Sequence, residues 1–296
     1  MVDLSDLTHL RSELNQLPRE LTHLPRDVVS QIAKDACPYD NPHEAAINLV
    51  TLKQTSREMH DKFKGSEIGN FEARLSRLVD LQRSLCSKAL PQDMEDDNPE
   101  ATRRLATMQI PAIQPVFKFY SPGAQSDIVD HMMTTNDISN RTVAVAAFAT
   151  NLNEVHEPSD RGRIINQALL SFADDNPLIR DNGGRALARA HGHLDAVQQE
   201  RLTQLFHGNP GLVQQYNELM KEQQAWYREE RVQLPSPNLD RSIDTIAGQV
   251  QRLPEGISTP EQAVAAHKVA KLVAESYNCA HNELIGRSRE RSSLGR

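Results

Sequence analysis

Leucines fall at positions 4, 7, 10, 14, 17, 21 and 24, in steps of three or four that place them on one face of a helix. Pro18 and Pro25 break that stripe, because each removes a backbone donor and biases the residue before it out of the α region. The pattern therefore predicts one short amphipathic helix over Ser5–Gln16, packed on the helices C-terminal to it, rather than a coiled coil. From Leu24 the pattern shortens. Val28, Val29, Ile32 and Ala33 make one apolar face, a loop over Pro38–Pro42 interrupts, and Ala45, Ala46, Leu49, Val50 and Leu52 make the next. Below about 40 residues a core is normally insufficient, so these helices need the rest of the chain or another protein to cover them. Phe71–Lys88, with Leu75, Leu78, Val79, Leu81 and Leu85, reads as a further amphipathic helix.

Beyond Lys88 the chain carries a repeat. Asn98-Pro99, Asn136-Asp137, Asn176-Pro177 and Asn209-Pro210 recur at intervals of 38, 40 and 33 residues, periods that suggest a solenoid of helix pairs. Asn accepts from the first free amides of a helix and Pro gives up a donor that would be orphaned there, so each site is expected to start a helix. Arg103, Arg141 and Arg180 come next, and then small-residue runs, Ala144-Val145-Ala146-Ala147 and Gly183-Gly184-Arg185-Ala186. These arginines are expected to satisfy turn carbonyls or acidic neighbours. Pro111, Pro115 and Pro122 break the first copy.

A long helix is predicted from Gly211 to about Arg231 as a cap on the array, and Leu234-Pro235-Ser236-Pro237 as a linker. After Asp240–Val250 and a turn at Pro254, Ser258-Thr259-Pro260-Glu261-Gln262 has the cap, proline and acidic first turn of a helix start. That helix carries Val264, Val269, Leu272, Val273, Leu284 and Ile285 and is expected to end at Gly286. The tail Arg287–Arg296 holds four arginines and three serines and is expected to be disordered.

Composition fixes the class. Only 13 glycines and 4% aromatics, set against many Ala, Leu, Gln, Glu and Arg, favour helix, and the fold class expected is all-α. A formal charge of −7 gives no general cationic surface, which disfavours nucleic acid. No run of 18 apolar residues and no signal-peptide pattern occurs, so a soluble chain with no membrane partner is expected. Cys37, Cys86 and Cys279 are odd in number and far apart, which reads as free thiols in a reducing compartment.

The order Leu24-Pro25, Asp27, Val28-Val29, Ile32, a loop, the helix with Leu49 and Leu52, then Thr55-Ser56-Arg57 and Met59 resembles an F-box. That motif binds the Skp-type adaptor of cullin-based ubiquitin ligases. The usual aromatic near its end is Met59 here, and Leu17-Pro18 offers a second register. The resemblance implies a partner surface drawn from Leu24, Pro25, Val28, Val29, Ile32, Leu49, Leu52 and Ser56, with Leu17 and Pro18 in the alternative register. Glu95–Trp226 resembles HEAT-type repeats, most closely over Phe172–Leu194. Together they imply an F-box-like three-helix module over 1–70, an α-solenoid of HEAT or armadillo type over 71–232, capping helices over 233–286 and a tail over 287–296. The combination resembles the F-box-like type III effectors that plant-associated bacteria inject into host cells, which implies an unidentified host target protein and a location in host cytoplasm or nucleus.

Candidate chemistry is sparse. His191-Gly192-His193 with Asp195 groups three metal-ligand types, but residues two apart on a helix do not face each other, and no metal is expected there. Cys279-Ala280-His281 is the one close Cys/His pair, again two apart, while a thiolate nucleophile needs a base within reach. No phosphate-binding glycine loop or hydrolase signature occurs. The leading expectation is a non-catalytic adaptor without cofactor. A plain HEAT-type scaffold with no ligase link is the second, and a cysteine-dependent ligase or hydrolase the third.

Overall fold

Proline and asparagine punctuate the chain. The computed structural model describes residues 24–54, 57–89, 109–134, 138–229 and 238–293. They form thirteen α-helices joined by turns and short 3-10 stretches, with no strand among the described residues, so the chain is all-α. The helices are α1 (Arg26–Asp35), α2 (Pro42–Gln54), α3 (Arg57–Phe63), α4 (Glu67–Ala89), α5 (Ile110–Ile113), α6 (Pro122–Thr134), α7 (Ile138–Phe148), α8 (Pro158–Phe172), α9 (Pro177–Ala190), α10 (Ala196–Gly208), α11 (Pro210–Glu229), α12 (Leu239–Arg252) and α13 (Pro260–Ser293).

Local chemistry sets their ends. Asn176 Oδ1 accepts from Leu178 N at 3.0 Å ahead of Pro177, and Asn209 Oδ1 from Gly211 N at 3.2 Å ahead of Pro210, as two of the four repeat signals predict. The other two, Asn98-Pro99 and Asn136-Asp137, lie outside the described residues, as does the Leu234–Pro237 linker. The start of α13 is a reciprocal cap: Thr259 Oγ1 accepts from Gln262 N, and Gln262 Oε1 accepts from Ser258 N at 2.9 Å. Pro111, Pro115 and Pro122, read from the sequence as breaks, each sit in the first turn of a helical segment, where a missing donor is harmless. Gly65, at φ +70, turns α3 into α4. Helix α13 runs through Gly286 to Ser293, beyond the expected end, because one glycine costs a helix only about 1 kcal/mol and the arginines after it are good helix formers.

Two apolar cores form. The second holds Val145, Phe148, Ile164, Ile165, Phe172, Leu187 and Tyr216 from α6 to α11. There α7 packs on α9 and α9 on α11, while α8 packs on α6, α7, α9 and α10. Gly183 and Gly184 let α9 approach α8 and α11 closely. Arg180 donates to the carbonyls of Asp174 and Asp175 at 3.1 and 3.3 Å, the turn-satisfying role expected of it.

The first core joins the two ends of the described chain. Phe71, Leu75, Leu78 and Leu85 of α4 fall at steps of four, three and seven and Ile243, Ile246 and Val250 of α12 at steps of three and four, one helix face each, and both faces close on Val273, Tyr277 and Leu284 of α13. Arg74 grips Asp240 through two bonds of 3.0 and 2.9 Å and reaches Glu283 at 2.8 Å. Gly256 N donates to Lys88 O at 2.9 Å, and Lys88 Nζ to Leu253 O at 2.7 Å. Helices α12 and α13, expected from the sequence as caps of the repeats, thus complete the core of α1–α4 instead. Hydrophobic periodicity marks an apolar face without naming what covers it.

The segment 110–119 stands between the cores. Ile110 and Phe117 enter the second, while Ala112, Ile113, Val116 and Phe119 enter the first.

Candidate functional site

The sequence directs attention to α1. Pro25 sits at its N-cap position with extended backbone and no side-chain cap, and Val29 N donates to Pro25 O at 3.1 Å. Val29 and Ala33, four apart, face inward at 3% and 0% exposure, which rotates Val28 and Ile32 to the rim. Val28 is 38% exposed, Pro25 is exposed, and Leu24 and Ile32 are half-buried against the first core. Leu49 and Leu52 point into that core as well. Of the ten residues expected to meet a partner, Leu24, Pro25, Val28 and Ile32 therefore share one apolar edge, and Val29, Leu49 and Leu52 are taken by the chain itself. Ser56, Leu17 and Pro18 lie outside the described residues.

A second constellation, not singled out by the sequence, lies between the cores. Lys118 is 3% exposed; its Nζ donates to Asn278 Oδ1 at 2.7 Å and stands 5.4 Å from the centre of the Tyr39 ring and 5.1 Å from that of Tyr277. Burial pulls the Lys118 ammonium below its ordinary pKa, against the pull of Glu154 and Asp40. Burial pushes the Glu154 carboxyl up, opposed by Lys118 and by a 2.7 Å bond from Asn151 Nδ2. Gln125 ties the ends of two 3-10 turns together, donating to Phe117 O and Glu154 O at 3.0 and 2.9 Å and accepting from His156 N. Tyr277 Oη donates to Pro38 O at 2.8 Å, and His281 Nε2 to Cys37 O at 2.9 Å. The cation is met by the Tyr39 ring from the α1–α2 turn and by the Tyr277 ring and Asn278 amide from α13, so the arrangement clamps the α1–α2 turn, the 114–119 turn and α13 together. The sequence signal was one lysine inside an otherwise apolar run, Val116-Phe117-Lys118-Phe119-Tyr120.

His156 adds a pH dependence. Burial holds its pKa below the ordinary value, against Asp40, Glu44, the Tyr120 carbonyl and Glu157. A histidine whose folded pKa is lowered binds fewer protons folded than unfolded, so its share of stability is present above about pH 6.5 and lost as pH falls toward the folded pKa. Denaturant midpoints measured between pH 7 and pH 5 should fall, and the fall should be smaller in His156→Gln.

The remaining sequence candidates are occupied structurally. His191 Nδ1 lies 2.9 Å from Tyr216 Oη, and Asp195 caps α10 by accepting from Gln198 N at 2.8 Å. Burial pushes the Cys37 and Cys86 thiols up to about 12, and Cys279 also upward, the opposite direction from an activated nucleophile. Cys86 bonds Tyr120 Oη. His281, two residues from Cys279, is committed to Cys37 O.

Among the described residues the fold is all-helical, with an apolar edge at α1 and a buried lysine clamp between two cores. The chain has no significant match among protein-family models, curated proteins or solved structures.

Proposed function

We propose that this protein is a non-catalytic adaptor that docks a partner on the α1 edge and presents a target on its α6–α11 helices. The observation that carries the reading is the edge itself: Leu24, Pro25, Val28 and Ile32 remain at the surface after α1–α4 have closed their core. The partner that its F-box-like order favours is a Skp-type ubiquitin-ligase subunit. The neighbour pattern of α7, α9 and α11, backed by α8 and α10, supports a HEAT-like array as the presenting surface. Delivery by type III secretion into a host cell belongs to the same reading. No helix among the described residues is long and apolar enough to cross a membrane.

The test is a pull-down with purified Skp-type adaptor. Val28→Asp places a charge on an exposed position and leaves the core untouched. Interface anchors are worth about 2 kcal/mol or more, so the variant should bind roughly thirtyfold more weakly than wild type. Wild type that fails to bind sinks the docking reading.

One observation favours a scaffold without a ligase link. The N-terminal helices are not a free-standing module, since α12 and α13 supply about a third of the buried residues of their core, and Leu49 and Leu52 are spent inside it. Under that reading the pull-down is negative for both proteins.

A further inference from the structure

Residues 36–41, between α1 and α2, carry an aromatic ring that the fold does not seal in. Among the described tyrosines, Tyr277 Oη donates to Pro38 O at 2.8 Å, Tyr216 Oη lies 2.9 Å from His191 Nδ1, and Tyr120 Oη bonds Cys86. Tyr39 differs from all three. It is 48% exposed, and its hydroxyl bonds no described residue. Its ring lies 5.4 Å from Lys118 Nζ and meets His281 edge-on at 5.2 Å. We propose that Tyr39 is a phosphate-acceptor site for a protein tyrosine kinase, and that the phosphate releases the α1–α2 turn from the lysine clamp.

Charge around the ring bears on both halves of that assignment. Asp35, Asp40 and Glu44 are exposed, and no Lys or Arg occurs from residue 35 to residue 52. Such an acidic stretch suits a kinase whose peptide groove is lined with Lys and Arg. In the transfer, Tyr39 Oη attacks the γ-phosphorus of a nucleoside triphosphate held by the kinase. The Oη–P bond forms, the bond to the nucleoside diphosphate breaks, and the phenol proton passes to a carboxylate of the kinase. The product carries about −1.5 to −2 charges at pH 7. Burial, and then the charges of Glu154 and Cys279, already push the Tyr39 hydroxyl pKa up, so an anion at that atom is disfavoured while the ring keeps its place. The Lys118 ammonium stands over the ring face and is bonded to Asn278 Oδ1. Swinging the ring into solvent relieves the repulsion and takes one π face from the clamp.

The site goes beyond the docking reading, since it requires no Skp-type partner. The full chain is incubated with a purified protein tyrosine kinase of basic peptide groove, magnesium and a nucleoside triphosphate, and phosphate is mapped by mass after digestion. Tyr39 should be an acceptor, and Tyr120, Tyr216 and Tyr277 should stay unmodified. Cys37, buried two residues away, reads the turn: its thiol should label about tenfold faster once Tyr39 is phosphorylated, while the buried Cys86 stays unreactive. Tyr39→Phe keeps the ring over Lys118 and should hold Cys37 slow with or without the kinase. An unmodified Tyr39 in the wild-type chain overturns the proposal. So does phosphate on Tyr39 with Cys37 labelling unchanged, because the turn then holds. Opening of Cys86 together with Cys37 marks unfolding of the whole core and overturns it too. Failure to bind a Skp-type subunit removes the docking reading and leaves the phosphate and thiol results standing.

Discussion

Tyr277→Ala should lower the free energy of unfolding by about 4 kcal/mol, the upper range for truncating a buried aromatic. Tyr277 is 0% exposed and stands where three regions converge. Its ring meets Phe119 edge-on at 5.5 Å and lies near Phe71 and His281, and the Lys118 ammonium stands over it. Removing the ring opens a cavity and leaves a buried cation with one π face fewer, and both losses act in the same direction. Against a typical domain stability of about 5–15 kcal/mol, that loss is a large share. Tyr277→Phe keeps the ring and loses only the bond to Pro38 O, so it should cost about 1 kcal/mol. Urea unfolding of the three proteins gives the comparison. Nearly equal effects of the two substitutions would show that the hydroxyl, and not the ring, holds the clamp.

Gly183→Ala should be nearly as damaging although it adds one methyl group. A Cβ there would sit 2.5 Å from Phe172 N and 2.7 Å from Ser171 C, which are backbone atoms of α8 and cannot rotate away. Helices α8 and α9 would have to separate, and overpacking of that kind costs about 3 kcal/mol. Gly248, also inside a helix, has nothing within 4 Å of the same added atom. Gly248→Ala should therefore raise stability by about 0.5–1 kcal/mol, since alanine loses less entropy on entering a helix. The opposite signs, read from thermal or denaturant midpoints, separate close packing from helix propensity as the reason for glycine in the 183–184 pair.

How much of this was legible in the sequence depends on the range of the interaction. Caps such as Asn176 and Thr259 act within four residues and are written locally, so the starts of α9 and α13 followed from residue types alone. The apolar faces of α4 and α12 were legible as faces, but their meeting was not, because Arg74 and Asp240 lie 166 residues apart and no local rule pairs them. Of the seven described residues expected at a partner surface, Val29, Leu49 and Leu52 are as apolar as Val28, and only the packed core distinguishes inward from outward. The lysine clamp was out of reach. Its parts come from the α1–α2 turn, two 3-10 turns and α13, and a lone lysine among phenylalanines carries no periodic signal.

The shared core of α1–α4 with α12 and α13 also orders events during synthesis. The second core uses only residues from Ile110 to Met220 and can close while the rest of the chain is still being made. The first cannot, because its last contributor is Leu284. At about 5–20 residues per second, the ~195 residues between Ala89 and Leu284 take roughly 10–40 s to emerge. For that interval the buried leucines of α2 and α4 wait uncovered on a nascent chain whose middle has already folded.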